Sequence, residues 1–434
     1  MVATGVFVAA AHGVVVTVRN TTVFVLPSGA SSAQKLLRFE VLQGADGVVE
    51  APAAAEDEDD AKKGKKKQAT QPAPPANRIT TIELFQPQGF ELLALLLLVD
   101  ERRLVHYELD LAAETLLLKA SRSVPRSATC MAVGHVKLPS GETKYAVVVG
   151  QKTGEAVAVP FPDVDRDLKT LLGHTTSMVT HVAVNHDSSL LLTADRDEKM
   201  RVSRFPNASI IESYCLGHAA SLTKVACSAV TPELVVSTSM DNTLKLWEMK
   251  TGKLLASETL LPGVKVSLEP LDEDADNAGD DSGRKAAKSL LNVSLAICPT
   301  TNIVAVLVNY QNARFFEIVA ADGAHALKEV AIPSEDTQTL LANDPCELLF
   351  TEDGVLAVSY KKNPYLQLFS ISKGESKRLS PVDTAAAAFN DFRSAAATIE
   401  LIDDEEKALD VLEDGLKKKK ARTGEWNKKV PGEN

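Results

Sequence analysis

Aromatic side chains are scarce in this 434-residue chain, where 13 Phe, 6 Tyr and 2 Trp make up 5%. A stacking platform for single-stranded nucleic acid is built from such rings, so their rarity disfavours that class. Cysteine is equally sparse: Cys130, Cys215, Cys227, Cys298 and Cys346 stand singly, odd in number and without a C-x-x-C pair. Neither a zinc site nor a disulfide framework is supported, and the five read as small buried apolar residues of a reduced, intracellular protein. Long hydrophobic runs are absent too; the longest clean one, Leu92 to Val99, is far too short to span a bilayer. Positive charge is in deficit, with 47 Lys and Arg against 58 Asp and Glu, a net charge of −11. That excludes a protein that grips nucleic acid by bulk positive charge. The apolar stretch Val6 to Ala11 has no basic residue before Arg19, so it reads as a first strand and not as a secretory signal.

The local traces of an enzyme are missing as well. No two of the 23 glycines are separated by a single residue, which removes a G-x-G dinucleotide or methyl-donor loop. Gly64-Lys65 and Gly252-Lys253 lack the upstream glycine of a P-loop, and no G-x-S-x-G elbow occurs. Among the eight histidines there is no H-x-x-x-H, and His181 and His186 lie five apart across a strand-to-loop junction, a poor arrangement for a metal. No catalytic constellation, cofactor or metal is expected.

What is present is a succession of short β signals in pairs. Gly13 to Val18 and Thr22 to Leu26 read as a hairpin around Asn20; Ala146–Val149 and Ala156–Val159 flank the turn Lys152-Thr153-Gly154. Ile303–Val308 pairs with Ala313–Ile318, and Val355–Val358 with Tyr365–Phe369. A repeat underlies them. Gly173-His174 recurs as Gly217-His218, Thr193 as Ser237 and Asp197 as Asp241, each 44 residues apart, and the second copy closes on Thr243-Leu244-Lys245-Leu246-Trp247. This is the signature of a WD repeat, one four-stranded blade of a β-propeller. His218, Ser237, Asp241 and Trp247 form a complete hydrogen-bonding set; His174, Thr193 and Asp197 form a truncated one, because Ser203 stands where the Trp would be. Gly134-His135 imitates a repeat start, but alignment puts His135 opposite His186, in a loop after the first strand.

The expected fold is therefore all-β, a seven-bladed WD-repeat propeller over residues 1–379, with blades near 5–43, 78–122, 126–172, 173–216, 217–262, 289–330 and 337–376. Two charged insertions, about 44–77 and 271–288, are expected to be disordered, since nothing in them buries apolar area. The first holds five consecutive acids (Glu56 to Asp60) and then a lysine cluster; the second holds six acids from Asp272 to Asp281. The eleven acids equal the acidic excess in number, but with their basic residues counted the two insertions carry −2 and −3, so the net charge of −11 is shared with the rest of the chain. Residues 380–434 read as a helical, lysine-rich tail, with alanines at 385–388 and 395–397 and the run Lys417 to Lys420.

The turn after Thr193 packs six charges, Asp195, Arg196, Asp197, Glu198, Lys199 and Arg201, into seven positions. Alternation along the following strand is expected to put Lys199, Arg201 and Ser203 on one exposed face, a pair of cations suited to a partner's carboxylates.

The run from Leu171-Leu172-Gly173-His174 through Asp195 to Ser203, followed by Ile211-Glu212-Ser213-Tyr214-Cys215-Leu216-Gly217-His218, resembles the WD-repeat non-catalytic subunit of the tRNA (guanine-N7)-methyltransferase. The resemblance implies an adaptor, not an enzyme. It would bind and stabilise a separate Rossmann-type catalytic subunit as a heterodimer, which forms 7-methylguanosine in the tRNA variable region. It further implies that Lys199 salt-bridges an acidic residue of that partner, that Arg201 matters at the same surface and that Arg196 is a weaker neighbour. Contact with tRNA would come through the complex, without membrane or metal, and the usual location would be the nucleus, with the lysine runs as import signals. The sequence departs from the family at Gly150-Gln151-Lys152, where Asp usually precedes Lys. The alternative is a general WD-repeat scaffold, such as a ubiquitin-ligase substrate receptor or chromatin adaptor.

Overall fold

The computed structural model describes residues 6–27, 36–42, 77–175, 177–264, 292–321, 324–372, 374, 377–382 and 387–399. Both charged insertions (apart from residue 77), the run Lys417–Lys420 and the rest of the tail beyond residue 399 lie outside them.

Seven four-stranded antiparallel sheets follow one another along the chain, each made of consecutive strands in sequence order. Strands β1–β4 occupy residues 6–40, β5–β8 79–123, β9–β12 128–173, β13–β16 179–216, β17–β20 222–259, β21–β24 293–329 and β25–β28 345–381. Each blade is a meander of hairpins, and the predicted pairings appear in register: Val16 faces Val25, Val148 faces Ala158, Val304 faces Phe316 and Ala357 faces Leu368. The first six blades lie within or close to their expected spans. The seventh is displaced because a helix not expected from the sequence, α1 (Ser334–Leu341), precedes it. Its acidic first turn is held by Arg378, whose guanidinium donates to Asp336 (2.9 and 3.0 Å) and Glu335 (2.8 Å). The alanine-rich segment forms α2 (Ala387–Ala396) as anticipated.

Both faces of a blade are buried, one against each neighbour. The strand β6 (Leu93–Val99) illustrates this: Leu93, Leu95, Leu97 and Val99 pack towards blade one, while Ala94, Leu96 and Leu98 pack towards blade three. A two-residue period thus places a wholly apolar strand between two cores, and each buried leucine contributes about 2 kcal/mol. The ring closes where blade seven meets blade one. There Phe24 packs edge-on against Phe392 of α2, with ring centroids 5.1 Å apart. Arg19, almost fully buried, donates to the carbonyls of Tyr360 (2.9 Å) and Lys361 (3.2 Å).

Candidate functional site

The site is assembled at the turns that join the second and third strands of blades four and five. In blade five, β18 (Leu234–Ser239) leads through Asp241 into β19 (Thr243–Glu248). Trp247 Nε1 donates to Ser237 Oγ (2.8 Å), Ser237 Oγ lies 2.8 Å from His218 Nε2, and His218 Nδ1 lies 2.9 Å from Asp241 Oδ2. An indole can only donate, so Ser237 passes its own proton to Nε2 and the imidazole proton sits on Nδ1, facing the carboxylate. Burial alone would raise the Asp241 carboxyl. The hydrogen bond from His218, with hydrogen bonds from Thr243 and the Ala219 amide, outweighs it and holds the group at about 2.

Blade four builds the same chain differently. His174 Nε2 contacts Thr193 Oγ1 (2.7 Å), but Nδ1 contacts Asp195 Oδ2 (2.8 Å), not Asp197. Thr193 and Asp195 alternate on one face of β14 (Leu190–Asp195), so both reach the same imidazole. Asp197, at the position expected from the 44-residue offset, is half-buried in the turn and donates only its backbone amide, to Ser177 Oγ (3.1 Å). The signal for Asp195 was already in the sequence as the spacing Thr193-Ala194-Asp195.

Arg201 does not share an exposed face with Lys199. On β15 (Lys199–Arg204) it is 8% exposed, and its Nε donates to Ser203 Oγ (2.8 Å), its Nη2 to Ala208 O (2.7 Å) and its Nη1 to Gly173 O (3.5 Å). Ser203 is fully buried and lies 44 residues before Trp247. The guanidinium thus occupies the space beside the small Ser203, while Thr193 Oγ1, the counterpart of the hydroxyl that Trp247 bonds in blade five, keeps only its contact with His174 among the described residues. The expectation failed because alternation in a blade separates one neighbouring blade from the other, not core from solvent.

Lys199 remains at the strand end, exposed, and among the described residues its ammonium has no ion pair; Arg196 is half-exposed beside it. In register opposite Lys199 is Leu216 of the outer strand β16 (Ile211–Leu216), and Ile211, Tyr214 and Leu216 of that strand are 43%, 41% and 60% exposed. The exposed Lys199 ammonium therefore borders an apolar edge. Gly154 packs the preceding turn beneath it: its φ is +96°, and a Cβ there would strike the Ser177 and His174 carbonyls. Gln151 is 1% exposed with neither amide atom hydrogen-bonded. It lies 44 residues before Asp195, in a blade without the repeat histidine.

Burial pushes the thiols up, Cys130 to about 11 and Cys215, Cys227 and Cys346 to about 12, which leaves them protonated and unreactive at neutral pH. Among the described residues no group of three or more His, Cys, Asp or Glu is placed to hold a metal, and no helix is long and apolar enough to cross a membrane.

Seven such sheets and the His–Ser–Asp–Trp chain define a WD-repeat β-propeller. Solved propellers share that architecture: the Cps50 (Swd1) domain of Myceliophteria thermophila superposes with a TM-score of 0.51 at 10% identity, over 86% of this chain and 98% of that one. A chain of the mitotic checkpoint complex gives 0.50 at 14% identity, over 83% of this chain and 87% of its own. Residues 150–363 match the family model described as the tRNA methyltransferase TRM82 WD40 domain. Curated relatives agree. The tRNA (guanine-N7)-methyltransferase non-catalytic subunit wuho of Culex quinquefasciatus is 32% identical over 212 residues, 49% of this chain and 48% of the relative. The subunit WDR4 of Mus musculus is 41% identical over 109 residues, 25% and 26%, and trm82 of Sclerotinia sclerotiorum 35% identical over 156, 35% and 28%. The chain thus spans about half or less of the length of these relatives.

Proposed function

We propose that this chain is the non-catalytic subunit of a tRNA (guanine-N7)-methyltransferase, binding and stabilising the catalytic subunit as a heterodimer for formation of 7-methylguanosine in the tRNA variable region. The observation that carries this reading is the turn Arg196–Lys199, where Lys199 is exposed and unpaired beside the apolar edge Ile211–Leu216, in the stretch that matches the family model. An acidic side chain of the partner would pair with Lys199, with Arg196 adding to the local field. Arg201 supports the turn from beneath instead of touching the partner. Contact with tRNA comes through the complex, and this chain brings no cofactor, metal or membrane contact of its own. A nuclear location is part of the same reading, with the lysine runs at 62–67 and 417–420 as import signals. A general scaffold shares the fold, but no observation favours it.

The test is co-expression with the catalytic subunit. Lys199→Glu is expected to abolish co-purification, the cost of an opposed charge pair being about 2–5 kcal/mol, while the isolated propeller keeps its melting temperature. Undiminished complex formation overturns the assignment of this surface. Guanosine methylation by the reconstituted pair, measured with and without this chain, tests the adaptor role itself.

A further inference from the structure

A cleft of about 640 Å³ opens between blades three and four. It lies where the first strand of a blade passes into the second, at the opposite end of the strands from the turn that carries Lys199. One wall is the end of β9 (Ala128–Lys137), which supplies His135, Val136 and Lys137; the other is the loop 186–188 between β13 (Val179–Val184) and β14. His135 thus belongs to a strand, not to a loop as the sequence suggested, and its partner across the blade boundary is Ser188, with Nδ1 and Oγ 2.8 Å apart. Phe205 also lines the cleft and packs on Gly134, where a Cβ would come within 2.9 Å of its ring.

The loop is held in shape. Ser188 has φ +54°, a left-handed conformation that costs a non-glycine residue about 1 kcal/mol or more. It is fixed by its amide bond to the Asn185 carbonyl (2.9 Å), while the Asn185 side chain accepts from the Leu190 amide (2.8 Å). Asp187 is committed to the same loop: its carboxylate accepts the Ser189 amide (2.9 Å), and bonds from Ser189 hold it below the usual carboxylate range. The groups left to face a ligand are the Lys137 ammonium, the His186 imidazole and the Nε2 edge of His135, whose Nδ1 is engaged by the buried Ser188 hydroxyl. Burial lowers the His135 pKa, Lys137 and His186 lower it further, and Asp187 opposes them; the Tyr145 ring packs 5.9 Å away.

We propose that this cleft binds a small organic phosphate monoester, its phosphate received by Lys137, His135 and His186 and its organic part resting on Val136 and Phe205. One ammonium and two imidazoles offer donors to several oxygens of a tetrahedral anion, and the open side of the cleft leaves room for an organic substituent. A bound phosphate favours the charged imidazoles, so affinity rises as pH falls towards the histidine range. The proposal is independent of the adaptor reading, because the cleft and the Lys199 turn lie at opposite strand ends.

The test is calorimetric titration of the full chain with adenosine monophosphate, inorganic phosphate and adenosine at about pH 6 and about pH 8. The monophosphate is expected to saturate one site, more tightly at the lower pH, with phosphate weaker and adenosine silent. Lys137→Glu, at an exposed position, is expected to weaken binding about tenfold or more without changing the melting temperature or partner capture. His135→Gln is expected to reduce the pH dependence. Absence of saturable binding, or full affinity in Lys137→Glu, overturns the site. Equal binding of phosphate and the monophosphate overturns the placement of the organic part, and binding of adenosine alone overturns the phosphate.

Discussion

Blades four and five begin alike, each with a Gly-His pair and a hydroxyl residue that bonds the imidazole, and they part at the third strand. Blade five finishes its chain with Trp247, fully buried, and with Asp241 in the turn. Blade four takes its carboxylate two residues earlier in register, from Asp195, and fills the tryptophan position with Ser203 capped by Arg201. A small residue at an indole's place leaves volume, and a folded-back guanidinium fills it, donating to Ser203 Oγ and the Ala208 carbonyl. The turn of blade four is thereby freed from the repeat chain. Four charges of the turn remain, Arg196, Asp197, Glu198 and Lys199, and the side chain of Lys199 has no ion pair among the described residues, so it can serve a partner.

The strongest way to break this comparison is through the carboxylates. Asp195→Ala removes a buried partner of His174 and is expected to cost about 3 kcal/mol of stability, whereas Asp197→Ala stays within about 0.5 kcal/mol. Denaturant midpoints of the two variants decide it, and equal losses would restore Asp197 to the chain.

A histidine without such partners sharpens the contrast. His106, on β7 (Arg103–Asp110) of blade two, is buried with neither ring nitrogen hydrogen-bonded, and burial, opposed by Glu108, lowers its pKa from 6.5 to about 4. The unfolded chain takes up a proton at about 6.5 that the folded chain refuses until about 4, so stability falls as pH drops through that window, by about 3 kcal/mol. His106→Leu is expected to flatten that part of the melting-temperature profile.

Arg201 and Lys199 separate next. Arg201→Met leaves Ser203 Oγ and the Ala208 carbonyl without their donor and is expected to cost about 2 kcal/mol, lowering partner binding only as far as it lowers the folded population. Lys199→Glu should do the reverse. If Arg201→Met left stability intact yet abolished the complex, the guanidinium would be a contact residue after all.

Blade three, which lacks the repeat histidine, gives the smallest effect. Gln151→Leu removes an unbonded buried amide at the position matching Asp195 and is expected to be neutral or stabilising by about 1 kcal/mol. A clear destabilisation in thermal melts would mean that Gln151 has a partner in solution.

Much of this was legible beforehand. The alternation of Leu93–Val99, the hairpin at Asn20 and the 44-residue recurrence of His, Ser/Thr and Trp positions depend on local backbone periods and on turn residues, which the chain displays directly. Helix α1 escaped because its eight residues carry few apolar positions, and its stability comes from Arg378, 42 residues away.

The sequence alone determined the seven-bladed ring, the blade spans up to the sixth and the complete chain of blade five. Only the tertiary structure decided that Asp195 holds His174, that Arg201 is internal while Lys199 is free, and that His135 and His186 line a single cleft. Strand period and turn chemistry act within a few residues and are written in order along the chain. Which face of a strand meets solvent in a propeller depends on the next blade, and that neighbour is placed by packing.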